Sequence, residues 1–538
     1  MKNKIYIKDW LELKPYKEQT ETDSYYLKIC NIVKKAITTN KQSHILMEYL
    51  DNSEINILSC FLTSYFEDII SETNIWNSFV KIHWRLYKKQ LPFYSLDEYY
   101  EDEINFQDIC FLIWYFLNTI QEEKFISPFN KFILEIAAEI IFIFEDEWDY
   151  APENEFLKLF YWIDENEEDF YIARNLIDTI LFKTYLFYPD AFLKLKEFQL
   201  KIIEKNKDDE NVIMFLNDNR DNTLHTIHTR LLSLKGKEWA SEILGKNHPL
   251  SKEFLNMPPK ILGLFLYKGQ DDYNIFIEHI ASGKKFELTK KSFERSDILT
   301  EDYPILYIGI AKWKNEWWFS GVYFHQSFDP DIILNEKNSI QSRRAVDFLD
   351  YKSINPDKTL EMQLKAFKNF NNGSQIAFIA SDKIENFFQK YIEYFNNSLN
   401  LSSKEIKAAK QRAKKEGFFN TGKKSLNFPE ISKSGLVFFN PKSGIETAFS
   451  VNSAFPLSNN PFFNIDESEN AVMFLLLSEE MSAELAYYCI NNCKSDLPFF
   501  NDGIGKAYLE DIDFLLRFWK RKNYFSKPSI TFTGTETN

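Results

Sequence analysis

Glycine (15) and proline (17) are scarce in this chain of 538 residues, which excludes collagen-like and low-complexity architectures. Cysteine is rarer still. Five cysteines, at 30, 60, 110, 489 and 493, are an odd number at mostly wide spacing, so no disulfide framework is expected and the compartment reads as reducing. Long hydrophobic runs are missing too. The longest, Ile109–Leu117 and Ile140–Phe144, fall far short of the roughly 20 residues of a membrane span. The N-terminal MKNKIYIKDWLELKPYKEQ carries no apolar stretch of signal-peptide length. The expectation is a soluble, cytoplasmic protein without membrane contact.

Arginine numbers 10 against 54 lysines, so planar, bidentate recognition of phosphates or bases has few candidate residues. Positive charge is in deficit overall, with 64 basic and 79 acidic residues and a net charge of −15. Long-range attraction to nucleic acid or anionic lipid is therefore disfavoured except through a local patch. The lysine bias, with abundant Asn, Ile and Phe, fits an AT-rich bacterial coding genome. Only seven histidines occur, and none shows metal-ligand spacing; Cys489 and Cys493 share a helix face without a second pair to complete a zinc site. No phosphate loop, dinucleotide fingerprint, H-E-x-x-H or G-x-S-x-G is present, so neither metal nor cofactor is expected.

Aromatic residues are plentiful: 51 Phe, 28 Tyr and 11 Trp, a load that excludes intrinsic disorder. At roughly 150 residues per domain the length suggests three or four. From about 25 to 245 apolar residues recur at helical spacing, as in Ile55–Ser71, Asn105–Ile120, Phe129–Glu145 and Phe170–Phe187. The period then changes. Ile261–Lys268, Tyr273–Ile280, Phe286–Thr289, Ile305–Trp313 and Trp317–His325 read as five short strands joined by tight turns. Trp313, Trp317 and Trp318 read as sheet core with one exposed ring, or as the wall of a ligand groove. The fold class is α+β: an N-terminal all-helical domain (1–250), a small antiparallel, barrel-like β module (255–330), a helical connector with a basic helix (331–430) and a C-terminal mixed α+β region (431–538).

Two features carry candidate chemistry. Between Ser402 and Lys424 lie Lys404, Lys407, Lys410, Arg412, Lys414, Lys415, Lys423 and Lys424 against only Glu405 and Glu416. At 100° per residue Lys404, Lys407, Lys410, Lys414 and Lys415 fall on one arc of about 140°, opposite Ile406, Ala409 and Ala413. Such a face could contact RNA or another polyanion, with Phe418 and Phe419 available for stacking, or the protein's own acidic surface. It supports the leading expectation, a non-enzymatic interaction protein that binds a macromolecule or a protein partner.

The second feature is Arg220-Asp-Asn-Thr-Leu-His225. A histidine can move a proton at a ribose hydroxyl while an arginine neutralises charge growing on phosphate. The spacing resembles the R-x4-H motif of HEPN-type ribonucleases. That resemblance implies a metal-independent ribonuclease with Arg220 and His225 as catalytic residues, its site completed across a homodimer. Locally, the run Asn-Asp-Asn-Arg-Asp-Asn favours a turn or helix cap. The β segment ending in Trp317-Trp318-Phe319-Ser320-Gly321 resembles the small β module of uncharacterised bacterial proteins that also carry a SEC-C motif; the motif itself is missing, and no catalytic residue transfers.

Overall fold

Amphipathic spacing becomes helix throughout the first half of the chain. The computed structural model describes residues 4–94, 99–121, 125–293, 296–339, 356–398 and 432–527, with isolated positions 342, 346, 402, 404 and 407. These divide into two compact units, Met1–Asp350 and Tyr351–Asn538.

The first unit opens with α1 (Ile7–Leu11), α2 (Asp23–Thr39), α3 (Ser43–Leu46), α4 (Asn52–Ile70), α5 (Ile75–Tyr87), α6 (Phe106–Ile120) and α7 (Lys131–Glu147). It continues with α8 (Glu155–Lys158), α9 (Phe170–Lys183), α10 (Leu193–Lys205), α11 (Val212–Thr226), α12 (Gly236–Leu244) and α13 (Leu250–Asn256). The start of α4 shows why the chain turns helical where it does. Asp51 accepts hydrogen bonds from the amides of Ser53 (2.7 Å) and Glu54 (2.8 Å), and Glu54 accepts from the amide of Asp51 (2.7 Å), a reciprocal cap. The apolar run Ile109–Leu117 is the middle of α6, buried on every side by protein. Phe61 and Phe66 of α4 face it and α7, with Phe66 stacked on Phe144 at 4.7 Å. No helix among the described residues is long and apolar enough to cross a membrane.

Alternation with period two takes over at residue 261. β1 (Ile261–Gln270), β2 (Asn274–His279), β3 (Lys285–Thr289), β4 (Ile305–Trp313) and β5 (Glu316–Gln326) close a barrel in the order β1-β2-β3-β5-β4. Ile261, Phe265, Ile275, Ile277, Phe286, Leu288, Leu306 and Ile308 fill it. The expected module was antiparallel; one pair is not. β3 and β5 run parallel, with Leu288 beside Trp317, because β4 is placed at the far side of β5, between it and β1. This is the Greek-key strand order of the OB-fold. The three tryptophans make no open groove: Trp313 and Trp318 are buried and Trp317 lies against the barrel core. The helix α14 (Pro330–Lys337) follows, capped by Asp329.

In the second unit a three-stranded sheet, β6 (Ile376–Ala380), β7 (Ser434–Asn440) and β8 (Gly444–Phe449), has the order β6-β7-β8. α15 (Pro356–Phe370) and α16 (Ile384–Ser398) share a core with it, built from Leu360, Phe367, Phe388, Tyr391, Val437 and Phe439. The expected boundary at 430/431 is thereby corrected, since β6 and β7 pair directly, Phe378 with Leu436. The unit also holds helices at Ser468–Leu477, Ala483–Cys493 and Ile512–Tyr524. Cys489 and Cys493 are both buried, and the Cys489 thiol donates to the carbonyl of Ala454.

Candidate functional site

Arg220 and Asp221 are neighbours on α11, so their side chains leave the helix about 100° apart and meet different elements. The Asn-rich stretch is helical here, not a turn or cap, because tertiary partners engage its polar side chains. Arg220 turns to α9, where Nε and Nη2 donate to the two carboxylate oxygens of Asp178 at 2.6 and 2.8 Å, and its guanidinium lies 5.1 Å from the Phe182 ring centroid. Asp221 turns to the barrel. It accepts from Arg174 Nε at 2.5 Å, from Lys260 Nζ at 2.5 Å and from Ser320 Oγ at 2.9 Å. Lys260 also donates to Asn222 Oδ1 at 2.7 Å, and Asn222 donates to Asp218 at 2.9 Å. Burial works to raise the Asp221 carboxyl, but the Lys260 ammonium and Arg174 guanidinium outweigh it and hold the group at about 2.

His225 is the third outcome on this helix. Its ring lies over Phe170 with centroids 6.3 Å apart, and Nε2 is 3.3 Å from Ser320 Oγ. The single hydroxyl proton of Ser320 is directed at Asp221, so the contact is made by the Nε2–H tautomer of His225. Burial pulls the imidazole down to about 4, and it is neutral near pH 7. Ser320 is fully buried, and its hydroxyl is held between the Asp221 carboxylate and the His225 ring. Arg220 and His225, expected to converge as a catalytic pair, are instead held by different partners, Asp178 and Ser320. The Asp221 cluster joins helices to barrel within the first unit. Around it, Tyr171 donates to the carbonyls of Ser292 and Phe319, both at 3.0 Å, and Trp313 meets Phe254 at 4.9 Å.

These contacts cover the β5 side of the barrel. On β2 and β3 the inward residues are Ile275, Ile277, Phe286 and Leu288, which leaves Phe276, Glu278, Lys285 and Glu287 pointing outward. Tyr273, in the turn between β1 and β2, is 78% exposed; Asp271 fixes that turn by accepting from the amides of Tyr273 (2.8 Å) and Asn274 (2.7 Å). Lys290 follows the end of β3, and its amide donates to the Tyr273 carbonyl at 2.8 Å. Lys314 occupies the β4–β5 turn with a left-handed backbone, φ 49°. Glu278 and Glu316 are offset by Lys268 (3.4 Å) and Lys291 (3.1 Å).

Of the lysine-rich stretch, Lys404 and Lys407 are helical and exposed, whereas Lys410, Arg412, Lys414, Lys415, Lys423 and Lys424 lie outside the described residues. No cluster of three or more His, Cys, Asp or Glu among the described residues could hold a metal ion. Lys260 and Tyr273 carried only faint signals in the sequence: a lysine directly after Pro258–Pro259, and an aromatic after the turn residues Gly269–Asp272.

No curated protein and no solved structure matches the chain. Residues 4–307, which take in helices α1–α13 and the barrel as far as the start of β4, match the model of a family described as "Protein of unknown function (DUF3843)", and the chain belongs to that family.

Proposed function

We propose that this protein is a cytoplasmic bacterial binding protein for single-stranded nucleic acid, and that the strand lies across the outward face of β2 and β3. The observation that carries the reading is the barrel's strand order combined with an exposed aromatic at its rim, Tyr273. Barrels of this order bind oligonucleotides on the face of strands 2 and 3, flanked by the 1–2 and 4–5 turns; the analogy is one of fold alone. Here those two turns hold Tyr273 and Lys314, Phe276 and Lys285 point outward from β2 and β3, and Lys290 follows the end of β3. Aromatic rings accept any base by stacking, and lysines follow the phosphates without reading sequence. With a net charge of −15 on the whole chain, binding rests on local contacts and weakens steeply with salt.

The test is anisotropy of labelled oligo(U) and oligo(dT) over a salt series. Tyr273→Ala should weaken binding by roughly tenfold, the loss of one stacked base. Lys285→Glu/Lys314→Glu should flatten the salt dependence. Absence of salt-sensitive binding, or binding unchanged in both variants, would refute the proposal. A loss confined to Lys404→Glu/Lys407→Glu would move the contact to the lysine-rich segment. Metal-independent RNA cleavage abolished by His225→Ala would favour the ribonuclease reading instead.

A further inference from the structure

Helix α5 is amphipathic in the ordinary sense on one side, where Trp76, Phe79, Ile82 and His83 are buried. Its other side breaks the rule: Trp84 is 48% exposed in the midst of Lys81, Arg85 and Lys88. About half of that indole is open to solvent, on a helix whose core face is filled by other residues. It faces a cleft of about 690 Å³ between α5 and the end of α12, lined by Ser78, Lys81, Trp84 and Arg85 on one side and by Gly245 and Lys246 on the other. That volume is in the range that holds a drug-sized ligand.

The charges around the cleft are unequal. Arg85 Nη2 lies 2.5 Å from Glu242 of α12, so this pair spans the two helices and cancels itself. Lys88 Nζ sits 4.5 Å from the Trp84 ring centroid, a cation held against the aromatic face. Lys81 and Lys246 are exposed and make no ion pair among the described residues. Among the described residues Glu101 is the other carboxylate that lines the cleft. Gly245 follows α12 with φ +81°, and a Cβ there would meet nothing within 4 Å, so the cleft is open at that point.

We infer that this cleft is a site for a nucleoside phosphate. The base lies against Trp84, and the phosphates are taken by Lys81 and Lys246. The site is separate from the barrel face and does not depend on the barrel binding a strand. A planar ring explains the exposed indole, which a bare anion would not need; an anion explains the unpaired lysines, which an apolar ligand would leave without partners.

Calorimetric titration of the full chain with ATP, GTP, CTP and UTP, and with inorganic phosphate alone, tests the inference. Saturable binding of at least one nucleotide is expected, falling tenfold or more in both Trp84→Ala and Lys81→Glu/Lys246→Glu and unchanged in Tyr273→Ala. All the substituted side chains are at the surface, and equal melting temperatures would show that the variants fold. The inference is overturned if no nucleotide binds saturably, if both cleft variants bind as the wild type does, or if inorganic phosphate binds as tightly as the nucleotides. A loss in Tyr273→Ala alone would also overturn it, by assigning the nucleotide to the barrel.

Discussion

Lys260 and Asp221 form an ion pair almost wholly removed from solvent, their side chains 4% and 1% exposed, at the point where the chain passes from helices to barrel. Two charges taken out of water lose hydration that only close partners replace, and here Arg174, Asn222 and Ser320 supply the remaining contacts. The pair therefore acts as a polar fastening between α11 and the first strand.

Lys260→Met should destabilise the protein by about 3 kcal/mol at neutral pH, the low end expected when one member of a buried pair is removed, because Arg174 still contacts the carboxylate. The sign of the pH dependence follows from the carboxyl held at about 2. A depressed folded value gives stability that is complete above the unfolded value, roughly 3.9, and is lost as pH falls through 2. Urea titrations should thus show a wide gap between wild type and variant at pH 7 that narrows below about pH 4. A gap independent of pH would mean that the ion pair is not its source.

Two glycines are set tightly around the same fastening. Gly321 has φ +96°, and a Cβ there would lie 3.1 Å from both Asp221 Oδ2 and Lys260 Nζ. Gly309→Ala would press on the Lys260 side chain and on the backbone carbonyl of Ser320, which cannot move away without bending β5. Both substitutions should destabilise, Gly321→Ala by about 1–3 kcal/mol from backbone strain and Gly309→Ala by more. Melting temperatures of the two variants decide the order.

The period of the apolar residues was enough to place most helices and all five barrel strands, since burial of one face is a local property of the sequence. Helix α4, expected at Ile55–Ser71, runs Asn52–Ile70, its start extended by the Asp51 cap. What local pattern cannot encode is which strand lies beside which. The parallel β3–β5 contact and the pairing of Ile376–Ala380 with Ser434–Asn440 across more than fifty residues follow from global closure and burial. The same holds for the seam. Asp221 and Lys260 are 39 positions apart, and nothing near either one announces the other. The run around Arg220 reads locally as turn chemistry; Asp178, Arg174 and Lys260 override that preference by engaging its side chains one after another along the helix.

Arg220 is accounted for by its contact with Asp178, and that has a measurable consequence. Arg220→Ala leaves a carboxylate that is 7% exposed with Lys183, 3.6 Å away, as its cationic partner among the described residues. The arginine is itself 30% exposed, so the loss is moderated by solvent, about 1–2 kcal/mol. Arg220→Lys keeps the charge but not the planar fork and should recover less than half of it. Full recovery by lysine in chemical denaturation would show that charge alone, and not bidentate geometry, holds α11 to α9.

The most telling pH experiment concerns Asp108, buried at the start of α6. Burial pushes its carboxyl up to about 7, even though Tyr65 (2.7 Å), Tyr99 (3.1 Å) and Asn105 (3.3 Å) donate to it. Between the unfolded value near 3.9 and the folded value, the native protein carries a proton that the unfolded chain has released. Stability contributed by this group therefore falls as pH rises through that window, by up to about 4 kcal/mol at 1.36 kcal/mol per unit, and levels off above 7. Asp108→Asn cannot titrate. It should be less stable than wild type near pH 5, where the protonated acid fits its surroundings, and the difference should shrink or reverse by pH 8. Burial pushes Glu67 and Asp68 up as well, so the wild-type profile alone combines several groups. The difference between the two proteins cancels the groups they share, and a difference that stays constant from pH 5 to 8 would remove Asp108 from the account.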